Sequence, residues 1–294
     1  MKQQIMNEIK EKLEERLNGA KDVQMTTVTK NNGVVLNAVV LKTEGQIVAP
    51  TIYIDGIIEA IEEDEKTVAE AVEEIIKTDE GAREEGFAGF FDDLTKEKLL
   101  ERTVYQLVNR EKNEEMLKTV PHKDVCDLAL VYRCVVSSGE EGTGSFVIRN
   151  DFAKQYGITV EELDMAAREH EEYTIRTIME VICGLGCDEE ELMLEMRPED
   201  RDGLWVLSNK KQVHGASVIA SEETLSKLAE RLDDDLYILP SSIHEVLAMR
   251  VSNKNVDELR GMVGDVNETQ VSEEERLSYN VYKYDRADRV LMIA

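Results

Sequence analysis

No stretch of this chain keeps one hydrophobic period for long. Short extended runs, polar caps and helical runs succeed one another, as at residues 52–55, 146–151 and 217–221. Their spacing is irregular, which excludes a solenoid, and no heptad is sustained. No apolar run approaches the roughly 18 to 20 residues that cross a bilayer. Such alternation predicts an α+β protein with mixed or largely antiparallel sheets and packed helices, divisible into two lobes.

The elements follow from local chemistry. Ile5, Ile9, Leu13 and Leu17 recur every four residues and predict a helix over 4–17. Residues 23–29 and 34–41 predict a hairpin turning at Asn31-Asn32-Gly33, where Asn and Gly tolerate positive φ. Residues 49–55 enter a helix at 56–63. Thr67 and Glu70 form a capping box for the next helix. Residues 78–98 read as a charged connector, which places an N-terminal α/β lobe at 1–98 and a C-terminal α+β lobe at 99–294.

In the second lobe, residues 103–108, 127–136 and 145–148 predict strands, and 110–118 a short helix. Thr159 and Glu162 open the longest predicted helix, 160–183, with Leu163, Ala167, His170, Thr174, Ile178 and Val181 along one stripe. Trp205 is expected in the core, on a strand over 204–207. Residues 217–220 predict a strand feeding a helix at 222–232. Residues 236–239, 245–251, 281–284 and 290–293 predict strands, and 256–265 a helix capped by Asn255 with Glu258.

Charge narrows the function. Among 294 residues, 35 Lys and Arg face 62 Asp and Glu, a formal charge of −27. No third of the chain is basic, so direct binding of nucleic acid is not expected. An anionic membrane would also repel this surface. The acidity serves solubility or forms a polyanionic face that docks a basic partner. The N-terminus lacks an apolar h-region, and the four cysteines are too few for a disulfide scaffold, so a reduced, cytoplasmic setting is expected.

Few motifs carry chemistry. Ser241, Ser242, His244 and Glu245 place hydroxyls, an imidazole and a carboxylate within five residues. A nucleophile–base pair needs such groups about 3 Å apart. The competing reading is a tight turn, or a helix start with Ser242 as N-cap and Glu245 completing the box. Cys183 and Cys187, with His170 or His214, are the sparse candidates for zinc, set against a helix C-cap with small buried thiols. Cys126 and Cys134 are expected on one face of a strand, in the core. His170 is expected at a core boundary, and His122 and His214 have no assignable role. No dinucleotide fingerprint or phosphate loop is present, so no cofactor is expected. The acidic clusters at 62–65, 188–191 and 233–235 lack the spacing of a Ca²⁺ loop and read as solvated helix ends, and no metal is expected. Residues 233–235 also precede a strand whose edge they could guard.

Three strings carry a resemblance: Ala49-Pro50-Thr51-Ile52-Tyr53-Ile54-Asp55; Leu236-Tyr237-Ile238-Leu239-Pro240-Ser241-Ser242-Ile243-His244-Glu245-Val246-Leu247; and Val266-Asn267 through Leu277-Ser278 to Tyr282-Lys283-Tyr284-Asp285. Together they resemble an uncharacterised bacterial domain-of-unknown-function family of anaerobic gut bacteria, often encoded near mobile elements. The resemblance spans most of the chain and assigns no chemistry. It implies a cytoplasmic bacterial protein accessory to a mobile element. The expectation is a non-catalytic protein-interaction module contacting a basic partner, such as a nucleic-acid-handling or defence protein. The alternative is a hydrolase using Ser241 or Ser242 with His244.

Overall fold

The computed structural model describes residues 1–44, 49–84, 90–91, 93–139, 142–182, 202–240, 242–252 and 254–294. Its chain gathers into two compact units, Met1–Arg102 with Cys134–Phe146, and Thr103–Arg133 with Val147–Ala294.

The first unit packs helices on a small sheet. Helix α1 (Lys2–Leu17) buries Ile5, Ile9 and Leu13, the residues its four-residue spacing puts on one face. Strands β1 (Asp22–Thr29) and β2 (Val35–Lys42) pair antiparallel from Asp22↔Lys42 to Thr29↔Val35. The turn between them holds Asn32 at φ 59° and Gly33 at φ 75°. Strand β3 (Thr51–Tyr53) adds to β2, giving the order β1-β2-β3. Asp55 opens helix α2 (Asp55–Glu62) and accepts bonds from the Asn37 backbone N–H and Nδ2 at 2.6 and 2.7 Å, tying the helix start to β2. Thr67 and Glu70 form the expected box, at 2.8 and 3.3 Å, before helix α3 (Val68–Glu84). The Thr67 backbone N–H and hydroxyl, both donating to it, hold the Glu70 carboxyl below the usual carboxylate range. Ile9, Leu13, Val39, Leu41, Ile54, Ile58 and Ile75 are fully buried together. Asp79, also fully buried, takes Lys21 Nζ at 2.6 Å and Arg83 Nε at 2.7 Å. Helix α4 (Lys96–Leu100) follows, capped by Thr95.

Strand β4 (Thr103–Asn109), helix α5 (Glu114–Leu117) and strands β5 (His122–Val125), β6 (Leu128–Gly139) and β7 (Gly142–Val147) come next. β6 is central in a four-stranded sheet, with order β4-β6-β5 and β7 also on β6. The pairing Val125↔Leu128 leaves Cys126 and Asp127 as a two-residue turn, with Cys126 at φ 55°. This corrects the expectation that Cys126 and Cys134 share a strand face. Only Cys134 lies in a strand, fully buried, and burial pushes its thiol up to about 12.

Helix α6 (Asn150–Gln155) and helix α7 (Val160–His170) follow, the latter with both halves of the Thr159–Glu162 capping box formed. The predicted helix over 160–183 is interrupted. The chain leaves α7 at His170 and forms strand β8 (Tyr173–Thr177) before the short helix α8 (Ile178–Ile182). An aromatic and β-branched run, Tyr-Thr-Ile-Arg-Thr, has gained a strand partner, which outweighs the helical spacing of its apolar residues. His170 is accordingly exposed, with Nδ1 3.0 Å from the Thr103 carbonyl.

The largest sheet is antiparallel throughout, in the order β13-β12-β10-β11-β9-β8. Its further members are β9 (Trp205–Asn209), β10 (Leu236–Leu239), β11 (Val246–Arg250), β12 (Tyr282–Asp285) and β13 (Val290–Ile293). Trp205 is buried. Residues 215–220 form a 3-10 helix where a strand was expected over 217–220, and Ser221 caps helix α9 (Glu222–Leu232). Asn255 caps helix α10 (Val256–Gln270), longer than predicted. β10 lies inside the sheet, so Asp233–Asp235 guard no edge. Asp234 pairs with Arg250 at 3.2 Å, Asp235 with Lys283 at 2.7 Å, and Asp233 with Arg286. The Lys283 hydrogen bond is the largest cause holding the Asp235 carboxyl below its usual range.

Candidate functional site

Ser242, His244 and Glu245 lie at one end of the six-stranded sheet. β9 ends at Asn209, β10 ends at Leu239 and β11 starts at Val246, with Val246↔Leu207 and Leu239↔Leu247 in register. The loops leaving those strand ends therefore face one another, and residues 214, 242–245 and 275 come together there.

His244 is held from four sides. Its Nε2 lies 3.2 Å from Glu275 Oε1. Its Nδ1 accepts the His214 backbone N–H at 3.3 Å, which places the proton of the neutral ring on Nε2, toward the carboxylate. Its own backbone N–H donates to Ser242 Oγ at 3.0 Å, and its carbonyl accepts from Ser208 Oγ at 2.7 Å. The rings of His214 and His244 stack, with centroids 5.8 Å apart and planes 14° from parallel. His214 itself sits at φ 58°.

Two neighbours explain why the loops can close so tightly. A Cβ on Gly215 would stand 2.5 Å from the Asn209 nitrogen and 2.7 Å from the His244 carbonyl oxygen, so only glycine lets these backbones approach. Asn209 accepts the Val213 N–H at 3.3 Å, and its Nδ2 donates to the Val213 carbonyl at 2.9 Å and to Glu171 Oε2 at 3.1 Å. Burial pushes the Glu171 carboxyl above its ordinary range. Behind the loop, the Tyr173 hydroxyl donates to the buried Ser217 Oγ at 3.2 Å, and burial pushes that phenol up as well.

Chemically, this is an imidazole whose two nitrogens are engaged. The Ser242 hydroxyl accepts a main-chain N–H of the turn, and the His244 ring bonds Glu275 and the His214 backbone. Glu245 leads directly into β11, and no helix starts at Ser242, so the strand reading of 245–251 holds there. Ser241 lies outside the described residues, as do Cys183 and Cys187. Among the described residues, no group of three or more His, Cys, Asp or Glu side chains is placed to hold a metal ion. Glu275 and His214 are the members that sequence reasoning did not connect to His244. They lie 31 and 30 residues away, and Gly215 beside His214 is their one local signal.

A chain of two compact units, with three antiparallel sheets and helices packed on them, defines an α+β protein. No helix among the described residues is long and apolar enough to cross a membrane. The chain belongs to DUF5688, a family of unknown function, whose model matches residues 2–286. No curated protein and no solved structure matches it.

Proposed function

We propose that the protein is a non-catalytic interaction module that contacts a basic protein partner through its acidic exterior. The observation that carries this reading is the fate of six cations on and beside the helices of the first unit. Lys10, Lys12 and Arg16 of α1, and Lys66 just before α3, each pair with a helix carboxylate: Glu14, Glu8, Glu73 and Glu74. Lys21 and Arg83 are spent on buried Asp79. Glu11, Glu15, Glu63, Asp64 and Glu65 stay exposed around them. Exposed ion pairs add little stability, but they neutralise these six cations, in keeping with the −27 total. A protein that handles nucleic acid has the complementary basic surface, because it must neutralise phosphates.

The test compares the wild-type chain with a variant carrying Glu11→Gln, Glu15→Gln, Glu63→Gln, Asp64→Asn and Glu65→Gln, each immobilised in lysate of its source cells. The wild type is expected to retain a protein of basic isoelectric point at low salt. It should release that protein near 0.5 M salt, where the Debye length falls to roughly 4 Å. The variant should retain at least tenfold less. Retention insensitive to both salt and neutralisation, or a retained set that is not basic, overturns the reading.

A further inference from the structure

Strand β13 is a four-residue edge that carries no charge, proline or bulge. It closes the six-stranded sheet on one side, and no strand among the described residues pairs with its outer rim. Natural edges carry charges, prolines or bulges that deter strand addition. β13 reads Val290-Leu291-Met292-Ile293 in a chain whose residues are 33% charged. Val290, Met292 and Ile293 are 48%, 41% and 44% exposed, so the edge offers both apolar side chains and backbone.

The direction of that backbone follows from one bond. Ala294 N donates to the Val281 carbonyl at 2.9 Å, in register with Tyr282↔Ile293. In an antiparallel ladder, bonded and unbonded pairs alternate. Met292 and Val290 therefore spend their groups on β12, and Leu291 and Ile293 turn theirs outward. The Cys126 thiol already donates to the outward Leu291 carbonyl at 3.8 Å, so the Leu291 N–H and the two groups of Ile293 remain for an added strand.

A cleft of about 690 Å³ opens there, with Ile293 on one wall and His122, Asp124 and the Cys126-Asp127 turn on another. β5, which contributes His122 and Asp124, is itself the edge of the four-stranded sheet. The remaining lining comes from the segment between β4 and β5. Its charges are unequal: Glu111, Glu114, Asp124 and Asp127 against Arg110 and Lys118. Arg110 pairs with Asp124 at 3.2 Å, Lys118 with Glu115 at 2.6 Å and Glu114 at 3.5 Å, and Asp127 takes Ser278, Asn280 and Tyr282, so what the lining keeps is a formal excess of two carboxylates, four acidic against two basic side chains. All of these residues belong to the second unit.

We infer that the β13 edge and this cleft receive an extended, Lys/Arg-bearing peptide segment of the partner, which adds as a further strand to the six-stranded sheet. This inference rests on the basic-partner reading above and gives it a place. Main-chain bonds to the Leu291 N–H and to both groups of Ile293 supply affinity, and alternate side chains of the segment meet the apolar rim and the carboxylates. A second copy of the chain is the other natural occupant of an open edge. Pairing β13 with its own copy would bring together two acidic clefts on two chains of −27 each, whereas a basic segment relieves that charge.

The test uses the whole chain and three labelled ten-residue probes: alternating Val-Lys, alternating Val-Glu, and Val-Lys with every amide N-methylated. The fully N-methylated probe keeps the charge but has no N–H on either edge to donate into a ladder. The chain is expected to bind the Val-Lys probe at least tenfold more tightly than either of the others. Leu291→Pro removes an outward N–H and spares the β12 ladder, so it should also cost tenfold. Ile293→Lys, which charges the edge without touching the backbone, is the second variant should the first fail to fold. Equal binding of the methylated probe refutes strand addition and leaves the basic-partner reading standing. Equal binding of Val-Lys and Val-Glu refutes the basic-partner reading. No binding of Val-Lys, or a dimer of the chain that Leu291→Pro disperses, overturns the inference.

Discussion

Replacing Asp127 by alanine should cost the second unit about 3–5 kcal/mol. Asp127 sits at the tip of the β5–β6 hairpin, and its carboxylate receives three side-chain donors from a distant stretch of chain. Tyr282 donates to Oδ1, and Ser278 Oγ and Asn280 Nδ2 donate to Oδ2 at 2.8 and 3.0 Å. Tyr282 and Ser278 are buried at 0% and 2% exposure, and burial followed by the bond to Asp127 pushes the Tyr282 phenol up, so it remains a donor. Removing the acceptor leaves two buried donors unsatisfied at roughly 1–3 kcal/mol each, while Asn280, less deeply placed, finds water. Asp127→Asn keeps one oxygen for Tyr282 and should cost about half as much. The assay is urea unfolding followed by emission of Trp205, the single tryptophan, buried in β9 of the same unit. Tyr282→Phe combined with Asp127→Ala should be non-additive by at least ~1 kcal/mol, because both remove one bond. An Asp127→Ala cost under 1 kcal/mol, or strict additivity in the double variant, would refute the reasoning.

Two further outcomes follow from the loop end of the sheet. Gly215→Ala should cost about 2–4 kcal/mol in the same unfolding assay, since the added Cβ meets the Asn209 nitrogen and the His244 carbonyl at 2.5 and 2.7 Å, and backbone cannot swing away; wild-type stability in this variant would sink the account of how His214 and His244 are brought together. Glu171→Gln should raise the melting temperature at pH 7.5, because burial raises the folded pKa of Glu171 above its unfolded value. That group's favourable contribution is complete below the unfolded pKa of about 4.3 and is lost as pH rises through the folded pKa. The gap between variant and wild type should therefore close as the pH is lowered toward 4, and a gap that widens there contradicts the sign.

Local chemistry made much of the fold legible. The Thr67–Glu70 and Thr159–Glu162 boxes, the Asn31–Gly33 turn and the helix over 222–232 are fixed by nearest neighbours in sequence, and each forms where the residues place it. The errors arise where a distant partner decides. Residues 173–177 have helical spacing with α7 before them, but β9 offers them a ladder from Tyr173↔Asn209 to Thr177↔Trp205. Residues 217–220 are β-prone in composition and are instead wound into a 3-10 turn, where the Ser217 hydroxyl meets Tyr173 and Gly215 lies against the His244 carbonyl.

The site was less legible for the same reason, one level higher. Ser242 and His244 attract notice because they are near each other in sequence, yet proximity joins the hydroxyl to the His244 main-chain N–H, leaving the ring to groups about 30 residues away. A side chain two positions along a turn reaches backbone more readily than it reaches a neighbouring ring. The β13 edge shows the complementary blindness. Its four apolar residues are readable as a strand, but whether a strand is central or peripheral depends on sheet order, and here β12 enters beside β10 and leaves the later β13 outside. An apolar strand in the middle of a sheet needs no explanation. At the rim, Val290, Met292 and Ile293 are exposed, and contiguous exposed apolar surface is the feature that distinguishes interaction sites from scattered surface residues.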